Sequence, residues 1–149
     1  MKIIKITYSD MPHQKKVKGK NNNWVIVKDW TCTIHTDVGV IRFNIRKNYW
    51  YDLASVPKIL RSIIDNGSGD GRVLIAALIH DALYDTHLFT RNLSDIIFYQ
   101  LLLAQGVFKP LAYTYYKAVD ICGEKPYNTF DPEQMKIDKT LISVTWDSK

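Results

Sequence analysis

The chemistry-bearing residues of this chain gather at the end of an apolar run. Val73 to Leu78 is followed directly by Ile79-His80-Asp81-Ala82-Leu83-Tyr84-Asp85. At helical spacing Val73, Ala77, His80 and Tyr84 fall at i, i+4, i+7 and i+11, which is one face, and Leu74, Leu78 and Asp81 form the stripe beside it. The polar groups therefore continue apolar stripes and do not occupy a wet back face. A second run repeats the pattern, with Asp95 sharing a face with Phe98 and Leu102, and Arg91 supplies a counter-charge for Asp81 or Asp95. A polar group on a core-facing stripe must find a partner or open onto a cleft, because burying it unpaired costs about 1–3 kcal/mol or more. The expectation is a cluster of His80, Asp81, Arg91 and Asp95 where two helices meet.

Two chemistries fit that cluster. The plainer one is a tie between helices, with Arg91 bridging carboxylates. The other is general acid–base work near neutral pH by a histidine beside carboxylates. A second constellation, Tyr51 to Pro57 ("YDLASVP"), puts Asp52 at the end of a strand and Ser55 at the start of a helix. Such a corner caps exposed N–H groups, or delivers Asp52 and Ser55 to the cleft that holds His80. No G-x-S-x-G elbow supports a serine nucleophile. "GSGDG" before the His80 run is neither a P-loop nor a dinucleotide fingerprint and reads as a connector.

The elements that must carry these residues follow from the periodicity. "KIIKITY" (Lys2–Tyr8), "WVIVKDW" (Trp24–Trp30), "CTIHT" (Cys32–Thr36) and "VIRFNIR" (Val40–Arg46) read as strands. In the last, Ile41, Phe43 and Ile45 face one way and Arg42, Asn44 and Arg46 the other. The period then becomes helical. One helix follows Pro57 ("KILRSIID"), and a second runs from about Arg72 to Tyr84. A third starts near Asn92 or Ser94 and ends before Gly106, with Arg91 just ahead of it. A fourth spans about Pro110 to Cys122, with Gly123 as its C′ residue. The tail from Glu124 is punctuated by proline, with a candidate last strand at "TLISVTW". The expected fold is α+β, a small N-terminal antiparallel sheet packed against a layer of about four helices, in a single domain over residues 1–149.

Totals bound the function. The chain has 149 residues and a formal net charge of +5, which favours anionic partners. Much of that excess lies in His13 to Lys20 ("HQKKVKGK"), read as a solvated hairpin tip; nucleic acid binding through it is the less favoured alternative. No apolar run approaches a membrane span and no signal peptide is read. Cys32 and Cys122 lack metal-site spacing and fit a reducing cytoplasm.

These motifs resemble a family of small phage and prophage proteins grouped as a domain of unknown function. The resemblance rests on Asp52, Ala54, Ser55, Val56 and Pro57, then His80, Asp81, Leu83 and Tyr84, then Arg91, Asp95, Phe98 and Gly123, over roughly Val40 to Gly123. Ser94 departs from the small apolar residue usual there. The resemblance implies phage origin and a place in the infected host's cytoplasm or the virion, and supplies no reaction. The expectation drawn is a small hydrolase of a phosphate-bearing or cyclic nucleotide substrate, one that counters a host nucleotide defence signal. His80 is its acid/base, Asp81 the orienting or metal-binding neighbour, and Asp52 and Ser55 position substrate or water. Arg91, Tyr84 and Asp95 bind the small anionic ligand. His80-Asp81 is similar to the pair in metal-dependent HD phosphohydrolases, but His35 lies in a strand, so a full site of that kind is not expected and the metal and cofactor stay unassigned. The alternatives are a binder that sequesters an anionic nucleotide and a virion or assembly component, the latter drawing on the tyrosines of "AYTYYKAV". A homo-oligomer is compatible with each.

Overall fold

A computed structural model describes residues 1–17, 24–51, 71–128 and 140–149. Asp52, Ser55, the rest of "LASVP", the expected first helix and most of "GSGDG" lie outside the described residues. The chain divides into two compact units. One comprises Met1–Asp52 with Phe130–Lys149, and the other Leu53–Thr129. The fold is α+β, with antiparallel sheets in the first unit and helices in the second.

Among the described residues the first unit holds seven strands, β1 (Ile3–Tyr8), β2 (Gln14–Lys16), β3 (Trp24–Ile26), β4 (Trp30–Thr36), β5 (Gly39–Ile45), β6 (Trp50–Tyr51) and β7 (Ile142–Ser148). They form a four-stranded antiparallel sheet in the order β1-β4-β5-β7 and a three-stranded one in the order β2-β3-β6. The alternation expected of β5 holds, since Ile41, Phe43 and Ile45 are buried and Arg42 and Asn44 are exposed. Trp30, Cys32 and Ile34 of β4 and Ile142 of β7 are buried as well, so the period of two builds one dry face. The C-terminal strand also forms as expected, pairing with β5 from Ile142 to Ser148. Gly39 is required there by space. A Cβ would collide with the Trp146 ring and the Asp147 carbonyl.

One strand expectation needs correcting. Trp24 to Trp30 is not a single strand: Trp24–Ile26 belongs to the small sheet, whereas Trp30 opens β4 and runs on through Cys32. The register explains the split, because Trp30 pairs with Ile45 while Trp24 and Val25 pair with Tyr51 and Trp50. The start of the basic segment, Gln14–Lys16, is the strand that pairs with β3.

The second unit contains α1 (Gly71–Thr86), α2 (Arg91–Ala104), α3 (Lys109–Cys122) and the short α4 (Glu124–Asn128) among the described residues. α1 packs on α2, α2 on α3, and α4 touches both α1 and α3. α1 is buried around most of its circumference, with Val73, Ile75 to His80 and Ala82 to Tyr84 all buried, as a helix apolar on nearly every side must be. Thr90 caps α2, accepting the Leu93 N–H at 3.4 Å. Arg91 is thus the first residue of that helix and not a residue ahead of it. α2 ends before Gly106 as expected, Gly106 itself takes φ of 80°, a left-handed conformation that favours glycine, and the Arg72 guanidinium bonds the Gln105 and Gly106 carbonyls at 3.2 Å each.

Gly123 corrects a second expectation. It follows α3 with φ of −76° and ψ of −13°, a right-handed conformation open to any residue. What demands glycine is proximity, because a Cβ would strike the Tyr84 hydroxyl and the Val119 carbonyl. That close passage lets α4, which sequence patterning did not reveal, double back beside α1.

Candidate functional site

Asp95 is the centre of the polar cluster. It lies on the inner face of α2, is wholly inaccessible, and receives three side chains. His80 Nε2 is 2.8 Å from Oδ1, and the Tyr84 hydroxyl donates to the same oxygen at 2.6 Å. Arg91, one turn earlier on α2, reaches Oδ2 with Nη1 at 3.4 Å. A carboxylate only accepts, so the ring proton on Nε2 of His80 is fixed by its partner. Helical spacing makes the assembly: His80 and Tyr84 stand at i and i+4 on α1, and Arg91 and Asp95 at i and i+4 on α2.

Asp81 flanks the other ring nitrogen. Its Oδ1 is 3.9 Å from His80 Nδ1, within reach of charge attraction but beyond hydrogen-bond length, and its side chain is 12% exposed against 1% for His80. The imidazole therefore stands between an inner, fully buried carboxylate and an outer, partly accessible one. Its faces are closed by the Tyr84 ring at 4.2 Å and the Phe98 ring at 4.9 Å.

The electrostatics follow from these neighbours. For His80, burial is the largest influence and favours the neutral ring, yet Asp81 and Asp95 together outweigh it and hold the pKa above the ordinary 6.5. The buried Tyr84 phenol is pushed far above its usual range by desolvation first and the Asp95 carboxylate second, so it stays a donor at any working pH. Arg91 has a further duty: its Nη1 bonds the Asp120 carbonyl at 2.8 Å, satisfying a carbonyl in the last turn of α3.

A lid completes the arrangement. Tyr127 of α4 meets the Tyr84 ring edge-on at 5.1 Å and donates its hydroxyl to the Phe89 carbonyl at 3.1 Å. His87 lies at φ of 49°, left-handed for a non-glycine residue just past α1, with its Nε2 3.0 Å from the Tyr127 carbonyl and its ring 4.5 Å from the Tyr127 ring. These ring and carbonyl contacts accompany the uncommon backbone of His87.

The cluster expected from sequence thus converges for His80, Tyr84, Arg91 and Asp95, with Asp81 at its outer side. Asp52 and Ser55 cannot be placed beside it, being outside the described residues. Sequence reasoning missed Tyr127 and His87, and misread the purpose of Gly123. The available signal was a small residue followed by "EKPY", but its tyrosine carries no periodic partner. Among the described residues no three His, Cys, Asp or Glu side chains are grouped as metal ligands.

Residues 24–119 match the family described as "Protein of unknown function (DUF1353)". The chain belongs to that family. The DUF1353 match begins earlier than Val40 and ends at Val119, so it includes β3 to β6, all four members of the Asp95 cluster and Asp81, and stops before Gly123 and Tyr127. A relative from Sinorhizobium fredii (strain NBRC 101917 / NGR234), "Uncharacterized protein y4iH", is 29% identical over 111 residues, which cover 74% of this chain and 46% of the relative. This DUF1353 chain therefore spans about half the length of the curated relative it matches. No solved structure matches it. No helix among the described residues is long and apolar enough to cross a membrane.

Proposed function

We propose that this protein is a small hydrolase of a phosphate-bearing or nucleotide substrate, with the Asp81–His80–Asp95 line as its acid–base apparatus. One observation carries the reading: a buried imidazole has carboxylates at both ring nitrogens, 2.8 Å away on the sealed side and 3.9 Å on the accessible side. A buried histidine held this way is a positioner, and the group that meets substrate is Asp81. The imidazole, 3.9 Å from Asp81 Oδ1, helps to orient that side chain. Asp81 would then take a proton from a water attacking the phosphorus as the bond to the leaving oxygen breaks, or hold a cation that acidifies that water. Arg91 spends Nη1 on Asp95 and Asp120, and its side chain is 29% exposed, so the remaining edge of its fork can receive a phosphate. Phage origin, action in the infected host's cytoplasm and interference with a nucleotide defence signal complete this reading. They rest on the motif resemblance and on the excess of positive charge.

The test is incubation of the protein with a panel of cyclic and linear nucleotides, with and without divalent cations, followed by chromatography. Turnover should appear with at least one member and vanish in Asp81→Asn, whose circular dichroism should match the parent. Turnover that survives both Asp81→Asn and His80→Ala would remove the proposal. So would an inert, folded parent protein.

A second reading is favoured by the accessibilities of 1% for His80 and 0% for Asp95. In it the cluster is a tie between helices, and the protein binds an anionic nucleotide without turnover or serves in the virion. Nucleotide returned intact after heat denaturation would select the binder. Co-purification with particles, without bound nucleotide, would select the virion component.

A further inference from the structure

The tyrosines outside the Asp95 cluster form a surface of their own. Tyr99 of α2 and Tyr113 and Tyr116 of α3 stand in mutual ring contact, with centroids 6.3, 5.4 and 6.2 Å apart and planes tilted by 76, 41 and 45°. Tyr113 is 51% exposed, a large fraction for a ring on the junction of two packed helices. Among the described residues none of the three hydroxyls bonds to protein, whereas those of Tyr84 and Tyr127 do. Core packing therefore does not account for Tyr113, while Tyr99 and Tyr116 stand half-buried beside it. Tyr115, the neighbour that serves the core, is 1% exposed and points to the other side of α3.

Charge says what the surface fits. The Lys117 ammonium lies 5.4 Å from the Tyr116 ring centroid, and exposed Lys109 stands one turn before Tyr113 on the same helix face. Lys117 is shared with Asp120 at 3.1 Å, a contact that holds the ammonium at the edge of the aromatic cluster. The whole chain carries a net charge of +5. An anionic partner with planar rings satisfies both features at once, because each base has a π-face for a tyrosine and each phosphate a charge for a lysine.

We infer that the α2–α3 face carrying Tyr99, Tyr113 and Tyr116, with Lys109 and Lys117, is a binding surface for single-stranded nucleic acid. The exposed Tyr113 ring offers a stacking face to one unstacked base, with the half-buried Tyr99 and Tyr116 rings beside it. A duplex keeps its bases stacked and offers this face only its phosphates. The surface uses neither the Asp95 cluster nor the basic strand Gln14–Lys16, so it stands or falls apart from the proposed hydrolase.

Fluorescence anisotropy of the full chain with a labelled oligothymidylate of about 15 nucleotides, at low salt, tests the inference. The single strand should bind more tightly than a duplex of equal length. Tyr113→Ala should weaken binding by about tenfold, in keeping with the usual cost of one lost stack. Tyr113→Trp should preserve it, and the Lys109→Gln, Lys117→Gln pair should flatten the salt dependence. Lys15→Gln with Lys16→Gln should leave affinity unchanged. Absence of binding would overturn the inference, as would equal binding by Tyr113→Ala. Sedimentation that shows a dimer abolished by Tyr113→Ala would assign the face to a second copy of the chain instead.

Discussion

Asp95 and His80 form a charged pair with almost no access to solvent, so each is the other's chief compensation for lost hydration. Removing one member strips the other of its nearest counter-charge, at the lower end of the usual cost of about 3–5 kcal/mol because Arg91 stays beside Asp95 and Asp81 beside His80. Asp95→Asn keeps the shape and an acceptor for Tyr84 but removes the charge that His80 and Arg91 share. Urea denaturation should show a loss of about 3 kcal/mol, whereas Asp81→Asn, at the accessible side, should cost about 1 kcal/mol. The pH dependence follows from the same pair. The folded pKa of His80 is raised above 6.5, so its stabilising contribution is complete below about pH 6.5 and is lost as pH climbs through the folded value. The urea midpoint of the parent protein should therefore fall as pH rises above about 6.5. In His80→Gln that slope should flatten, and an unchanged slope would mean the ring is not charged in the folded protein.

Elements bring the cluster together, and α4 is the one whose contribution is least evident from its length. It is five residues long and none of them is buried, yet Tyr127 covers Tyr84 and ties back to Phe89 and His87. It reaches that position because Gly123 passes close to the Tyr84 hydroxyl. Gly123→Ala should force Tyr84 from Asp95 or lift α4. The expected cost is about 1–3 kcal/mol, the usual penalty of overpacking, read from thermal or urea unfolding. Hydrogen exchange should quicken at the C-terminal end of α3 in that variant. A neutral substitution would show that the turn simply gives way. The comparison of pattern with structure is instructive at this scale. The His80, Tyr84 and Asp95 stripes were legible because period 3.6 places them on faces whose other members are apolar. Thr90 as the cap of α2, and hence Arg91 as its first residue, was not, because threonine is also an ordinary loop residue. The break between Trp24–Ile26 and Trp30–Thr36 falls at Lys28-Asp29, a weak signal beside the β-forming residues that flank it, and the partners of each end divide the two strands. Gly123 looked like a conformational cap because nothing in a linear sequence reports that Tyr84 lies beside it.

At the scale of the molecule, the two compact units each hold one cysteine, and their environments differ. Cys32 lies in β4, 2% exposed, and burial pushes its thiol up to about 12. Cys122 ends α3 and is exposed. The thiolate is the reactive form, so a disulfide reagent at pH 8 should label one thiol per folded chain quickly and the second only after denaturation. The sheet gives this measurement a second use. β7 comes from the far end of the chain and pairs with β5 along seven residues, including Phe43 with Val144, while Phe43 pairs on its other side with Cys32. Deleting residues 142–149 would strip β5 of a full ladder and turn it into a long unprotected edge. Such a truncated chain should label at both positions without denaturant and associate at concentrations where the parent is monodisperse. Retained protection of Cys32 in the truncated chain would mean that β1, β4 and β5 hold their dry face without the returning strand. The family match ends before β7 begins, so the matched segment alone lacks the strand that completes this sheet.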